Sequence, residues 1–136
     1  MLFRFLLASS ALAVPAHADV WSFNTPSGNI ECVVGEGFEG SDIECTIFKR
    51  SQPAKVQALA SCPLNRGITF SMNNTGGVQG ACTSAGARPT GAQSVAEYNV
   101  EGKFGGFTCY SATSGLQCRN ESGHGFHLSR TNQQVF

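Results

Sequence analysis

The sequence predicts a mostly β fold, a small antiparallel β-sandwich or partly open barrel built of disulfide-stapled hairpins. Three observations predict it: apolar and polar residues alternate along several short segments, glycine-rich turns separate these segments, and the chain contains 6 Cys. Alternation with a period of two is typical of strands that bury one face. An even number of cysteines in a small exported chain indicates disulfides formed in an oxidising compartment.

Residues 1–18 are predicted to be a secretory signal peptide. Arg4 precedes a short apolar core, and residues 16–18 form the small-x-small pattern of a cleavage site before Asp19. The apolar core is too short for a membrane span, which needs about 20 residues. We therefore expect cleavage after Ala18, no membrane span, and a single disulfide-rich β domain over residues 19–136 in the periplasm or outside the cell.

The first disulfide is predicted to join the two strands of a hairpin. In residues 30–34 and 43–47, apolar residues or Cys occupy every second position. A hairpin that sets Cys32 opposite Cys45 therefore also aligns the apolar residues of both strands on one face. The intervening residues 35–42 are expected to form a flexible loop.

Two further disulfides complete the predicted set. The same alternation sets Cys109 opposite Cys118 across a short turn with Gly near its end. The remaining two cysteines, Cys62 and Cys82, are expected to pair and to flank a hairpin over residues 68–79. Each closed loop contributes about 3 kcal/mol by the chain-entropy argument.

Three other segments are predicted to be architectural. Residues 53–60 are typical of one short helix of about two turns, with Ser51 placed to cap it. Residues 83–94 are small and polar and are expected to form a connecting loop. Residues 25–28, Thr-Pro-Ser-Gly, fit a type I turn before the first hairpin strand.

Charge and motifs exclude several functional classes. The chain has 9 Lys and Arg against 9 Asp and Glu, whereas general binding to nucleic acid or anionic membranes requires clustered positive charge. No CxxC pair of the structural zinc type occurs, so we expect no metal. No glycine-rich phosphate loop precedes a helix, and no cofactor is expected.

The acidic residues of the first predicted hairpin are a candidate binding surface. Glu31, Glu36, Glu39, Asp42 and Glu44 are acidic, with no Lys or Arg among them, and Phe38 lies near the predicted loop tip. Such a surface could steer a basic partner, with Phe38 as its apolar anchor. We name Glu36, Phe38, Glu39 and Asp42 as the candidate binding residues. The alternative is a solvated acidic edge that blocks aggregation between strands.

The C-terminal histidines are a candidate catalytic set. In residues 125–129, Phe126 and Leu128 share one face and His127 and Ser129 the other, which predicts a half-buried strand paired with residues 116–120. If the protein is a hydrolase, the histidines would act as general acid and base, and an arginine would stabilise a phosphate in the transition state. That candidate set is His124, His127, Glu121 and Arg130. The alternative is a packed His124 at a tight turn and an exposed His127.

Several motifs resemble a family of small exported bacterial proteins classed as a domain of unknown function. The motif TPSGNI-x-C matches residues 25–32, and GHGF-x-LSR matches residues 123–130. The resemblance covers nearly all of residues 19–136 and implies bacterial origin, export and one cysteine-rich domain. It implies no activity and carries over no catalytic residue.

These observations favour a non-enzymatic binding or interaction module of the periplasm or cell envelope. Its expected partner is a basic protein or an envelope component. A small secreted nuclease-like hydrolase that uses His124 and His127 is the alternative, since histidine is the natural acid and base near neutral pH.

Overall fold

Residues 19–136 form two antiparallel-rich sheets in the structure, which is a computed structural model and describes these residues. Residues 1–18, where the signal peptide is predicted, lie outside the described range. Over residues 19–136 the strands close no barrel, and the two sheets share one hydrophobic core, consistent with a sandwich. The predicted mostly β class is confirmed. No helix in the described part of the chain is long and apolar enough to span a membrane.

Sheet A contains six strands in the order β5-β4-β3-β2-β1-β6. Neighbouring strands are antiparallel except for β6, which pairs in parallel with β1. Its strands are β1 Asp19–Asn24, β2 Ile30–Gly37, β3 Gly40–Ile47, β4 Ile68–Asn73, β5 Gln79–Cys82 and β6 Ser94–Val95.

Sheet B is a five-stranded antiparallel meander in the order β11-β10-β9-β8-β7. The predicted strand before the C-terminus is confirmed, because β10 pairs with β9 as expected. Its strands are β7 Val100–Phe104, β8 Phe107–Ala112, β9 Gly115–Arg119, β10 Gly125–Ser129 and β11 Asn132–Val135.

The first hairpin has the register that the alternation predicts. Cys32 lies opposite Cys45, and Val34 lies opposite Ile43. These four side chains are fully buried on the inner face of sheet A. Phe70 of the same sheet packs on a phenylalanine of sheet B, Phe126, with ring centroids 5.7 Å apart. Burial of the alternate residues thus joins the two sheets through one core.

All three predicted disulfides are confirmed. Their Cα–Cα distances are 4.1 Å for Cys32–Cys45, 5.7 Å for Cys62–Cys82 and 4.1 Å for Cys109–Cys118. Two of them join directly opposite residues of antiparallel strands, whereas Cys62 lies in the connection before β4. The described residues contain no free cysteine.

The predicted helix over residues 53–60 is wrong in length and in its cap. Only a 3-10 helix, Gln57–Leu59, forms there, and the preceding Val56 is extended. The reason is that the segment docks on β11, where the Lys55 N–H donates to the Gln133 carbonyl at 2.8 Å. The Ser51 N–H donates to the Arg130 carbonyl at 2.8 Å, so Ser51 ties the chain to sheet B and caps no helix.

The prediction of a flexible loop over residues 35–42 is also wrong. Strand β2 runs to Gly37 and β3 begins at Gly40, so only Phe38 and Glu39 form the turn. The glycines that suggested a loop are instead strand residues that permit close approach. A Cβ on Gly35 would lie 2.6 Å from the Asp42 Oδ1 on the paired strand.

The turn at residues 25–28 forms as predicted. The Gly28 N–H donates to the Thr25 carbonyl at 2.9 Å, and Gly28 has a positive φ of 75°. The next residue, Asn29, is buried and makes two bonds to the Lys49 backbone, at 3.0 and 2.8 Å. The TPSGNI segment therefore fixes the entry to β2 against the end of β3.

A buried arginine connects the segment after β3 to sheet B. Arg50 is 7% exposed, and burial lowers the pKa of its guanidinium. No carboxylate within residues 19–136 pairs with it. Its donors instead reach five oxygens at 2.8 to 3.3 Å: the backbone carbonyls of Gln52, Cys62, Pro63 and Arg66, and the Gln133 Oε1.

Candidate functional site

A polar groove lies on the outer face of sheet A across β3, β4 and β5. Its volume is about 630 Å³. The side chains that face outward from these strands line it, because they alternate with the core residues. Three of the lining residues are acidic, Glu39, Asp42 and Glu44, and none is Lys or Arg. We call this feature the acidic groove; its polar strand residues are Ser71, Asn73 and Gln79.

Phe38 stands beside the acidic groove at the β2–β3 turn. Its side chain is fully exposed, at 101% of the reference area. The adjoining Glu39 lines the groove. An apolar side chain in this position can bury most of its surface only against another molecule.

Glu36 faces the opposite side of sheet A from Asp42. Glu36 is half-buried and, as every second residue of β2 does, points to the same face of the sheet as Cys32 and Val34. It lies near the β7–β8 turn at Gly105. The paired residue Ser41 donates its hydroxyl to the Gly105 carbonyl. The structure therefore brings Phe38, Glu39 and Asp42 together with the groove and leaves Glu36 outside it.

Glu31 does not belong to the exposed acidic surface. Its side chain is 8% exposed, because the loop over residues 83–93 folds across this part of sheet A. The carboxylate accepts bonds from the Thr90 N–H and the Gly91 N–H at 3.2 Å and from the Thr90 hydroxyl. Glu31 therefore anchors a loop.

The carboxylates of the acidic groove have no cationic partner in the structure. Over residues 19–136 the one ion pair joins Lys103 to Glu101 at 3.8 Å, on sheet B. Like-charged carboxylates that face solvent together produce a negative potential, which attracts cationic groups. The groove thus combines negative charge, polar hydrogen-bonding groups and an adjacent apolar side chain.

The turn before β10 is built around the buried side chain of Asn120. Its Oδ1 accepts the N–H groups of Ser122 and His124, each at 3.1 Å. Its Nδ2 donates to the carbonyls of Asn73 and Gly76 at 3.0 and 2.7 Å. This asparagine fixes the GHGF segment and ties sheet B to the β4–β5 turn. In the sequence, Asn120 is recognisable only as a polar residue before a glycine-containing turn, so its buried role was not predicted.

The structure does not gather the four candidate catalytic residues. His124 is exposed, not packed in its turn, and Glu121 lies against Gly106 of the β7–β8 turn. Strand β10, whose five residues span about 16 Å at about 3.3 Å per residue, separates His124 from Arg130. The described residues contain no group of three or more potential metal ligands.

His127 occupies the outer face of sheet B, as the alternation predicts, and it is half-buried. Desolvation lowers the pKa of its imidazole, and the charge of Lys55 lowers it further, against a hydrogen bond with the Ser114 backbone that raises it. The ring lies against Gly115, where an added Cβ would be 2.9 Å from its Nε2. His127 therefore packs over the β8–β9 turn.

The lowered pKa of His127 predicts a pH-dependent stability. Because the unfolded chain binds this proton more tightly, the free energy of unfolding rises with pH from the folded pKa up to about 6.5 and falls on acidification. NMR titration of the ring should give a midpoint below that ordinary value. Lys55→Gln should raise the midpoint, and His127→Gln should flatten the pH dependence. A midpoint at or above the ordinary value contradicts the packing described here.

The fold and its cystines define a small disulfide-bonded β-sandwich protein with an acidic groove on one sheet. The chain matches a family of unknown function, DUF6636, over residues 1–136, and it belongs to that family. No curated protein and no solved structure matches it.

Proposed function

We propose that this protein is an exported binding module of the periplasm or cell envelope that recognises a basic protein through the acidic groove and Phe38. One observation carries the proposal: a groove of about 630 Å³ holds three carboxylates and no Lys or Arg. The three disulfides are compatible with an oxidising compartment. The charge, apolar core and cleavage pattern of residues 1–18 support export.

The two parts of the surface have different physical roles in this proposal. Unpaired carboxylates accelerate the encounter with a cationic partner and select against anionic ones. Burial of a fully exposed phenylalanine contributes about 2 kcal/mol to the complex. Phe38 therefore supplies affinity, while Glu39, Asp42 and Glu44 supply charge selection.

Affinity capture tests the binding function and the site separately. Immobilised oxidised protein should retain basic proteins from an envelope extract of the source cells. Retention should weaken as salt rises from 0.05 to about 0.5 M, because salt screens exposed charges. The triple variant Phe38→Ser, Glu39→Gln, Asp42→Asn should lose this retention.

A matched variant outside the groove is the control. Tyr110→Ser, Glu101→Gln, Glu97→Gln also removes one exposed aromatic residue and two carboxylates, none of which lines the groove. Its retention should equal that of the wild type. An equal loss of retention in both variants would contradict the assignment of the binding site to the acidic groove. If the wild type retains no basic protein, the proposed binding function is contradicted.

A further inference from the structure

A second cavity lies between the open edges of the two sheets, and it shares no lining residue with the acidic groove. We call it the edge cavity. It has a volume of about 290 Å³ and lies between β1 and β6 of sheet A and β7 and β8 of sheet B. This volume is close to the lower end of the range for small-molecule pockets, about 300 Å³.

Aromatic rings form one wall of the edge cavity. The Trp21 and Phe104 rings meet edge to face with centroids 4.8 Å apart, and the Phe23 ring lies 5.8 Å from Phe104. At the edges of the two sheets, Val95 and Val100 are 51% and 54% exposed. The lining is therefore apolar on two sides and continues to an apolar rim, which favours a ligand with an apolar body.

Ser111 supplies an unsatisfied hydrogen-bonding group to this apolar lining. Its side chain is 1% exposed and faces inward from β8 in register with Leu116. Within residues 19–136 its Oγ has no hydrogen-bond partner. A buried hydroxyl normally has one, because its desolvation is otherwise uncompensated. A ligand with a polar group at its buried end would give this hydroxyl a hydrogen-bond partner.

The charge at the edge cavity limits the ligand further. Glu97 is its one charged lining residue, and it is exposed. Lys103 of β7 alternates with the lining residues of that strand, so it points to the other face of sheet B, where it pairs with Glu101. A carboxylate ligand such as a fatty acid would thus approach a like charge without a cation to receive it.

We propose that the edge cavity binds a small hydrophobic alcohol, whose hydroxyl bonds Ser111 and whose apolar body packs on Trp21, Phe23 and Phe104. The aromatic wall and apolar rim hold the body. Ser111 selects the hydroxyl, and Glu97 disfavours anions. This site is independent of the acidic groove, so the failure of either proposal leaves the other standing.

The chain carries its own reporter for this site, because Trp21 is the only tryptophan in the sequence. Purified oxidised protein is titrated with 2-cyclohexylethanol and, separately, with 3-cyclohexylpropanoate, while tryptophan emission is recorded. These probes have no aromatic ring, so they do not contribute to the emission. We expect saturation with the alcohol and at least tenfold weaker binding of the carboxylate.

Two variants of β8 decide the role of Ser111. Ser111→Ala removes an unpaired hydroxyl and leaves only the β-carbon as a methyl group, so the fold is retained, and alcohol binding should weaken about threefold to tenfold. Thr108→Ala changes the same strand on its other face and should bind as the wild type does. The proposal is overturned by a wild-type titration that does not saturate, by equal binding of alcohol and carboxylate, or by undiminished binding in Ser111→Ala.

Discussion

Arg50→Ala is expected to lower the free energy of unfolding by about 3 kcal/mol. The guanidinium reaches five oxygens, four of which belong to backbone carbonyls. Substitution leaves these acceptors without their donors in a region where Cys62 and Gln133 are buried. The cost follows from the unsatisfied carbonyls, since an exposed arginine typically contributes less than about 0.5 kcal/mol.

Arg50→Lys separates charge from geometry. Lysine keeps the positive charge, but its compact ammonium cannot match the planar, five-donor fork of arginine. We expect a loss between those of the alanine variant and the wild type. Arg88→Ala is the matched control, because Arg88 is exposed in the loop after β5. Urea unfolding with an unchanged slope measures each difference. A loss for Arg50→Ala no larger than for Arg88→Ala would contradict this account.

This arginine also shows why one strand could not be predicted from the sequence. Strand β11, Asn132–Val135, has no alternation of large apolar residues. Its buried residue is Gln133, whose Oε1 accepts from Arg50 and whose Nε2 donates to the Ser129 and Arg130 carbonyls. A polar network between distant segments thus replaces the hydrophobic signal that sequence patterns detect.

The hairpins were predictable because two local constraints agree. In β2 and β3, the positions that bury apolar residues are also those that bring Cys32 and Cys45 together. A shift by one residue would expose the apolar set and separate the cysteines. Strands β6 and β7 lack this double constraint, and the edges that frame the edge cavity were therefore not foreseen.

The candidate binding residues were only partly predictable for a related reason. The exposed turn with Phe38 and Glu39 is local in sequence, and the chain itself indicates it. The groove floor comes from β4 and β5, more than twenty residues further along the chain. The burial of Glu31 depends on Thr90 and Gly91, about sixty residues away. Charge clustering in sequence cannot distinguish a solvent-facing carboxylate from one enclosed by a distant loop.

Reduction of the three disulfides is expected to unfold the protein at room temperature. Loop closure by the three cystines contributes about 9 kcal/mol in total by the chain-entropy argument. Domains of this size are stable by only about 5–15 kcal/mol. Circular dichroism should show loss of the β signal in reductant, with recovery after reoxidation. Persistence of the native spectrum in fully reduced protein would show that the hydrophobic core keeps the chain folded without the disulfides.

Paired alanine substitutions distinguish loop closure from core packing. Sequence separation is 13 for Cys32–Cys45 and 20 for Cys62–Cys82, so loop entropy alone makes the second disulfide more stabilising, by only about 0.4 kcal/mol. Burial favours the first, because Cys32 and Cys45 are fully buried whereas Cys82 is half-buried. Removal of two buried sulfurs leaves a cavity that costs about 1 kcal/mol or more.

We therefore expect losses of about 4 kcal/mol for Cys32→Ala with Cys45→Ala and about 3 kcal/mol for Cys62→Ala with Cys82→Ala. Urea unfolding of the two oxidised double variants measures their free energies of unfolding and shows which loss is larger. The reverse order would mean that restriction of the unfolded chain outweighs packing at this site. The predicted order would mean that the Cys32–Cys45 cystine, in the hairpin that carries Phe38 and the β3 side of the acidic groove, stabilises the fold through core packing as well as through loop closure.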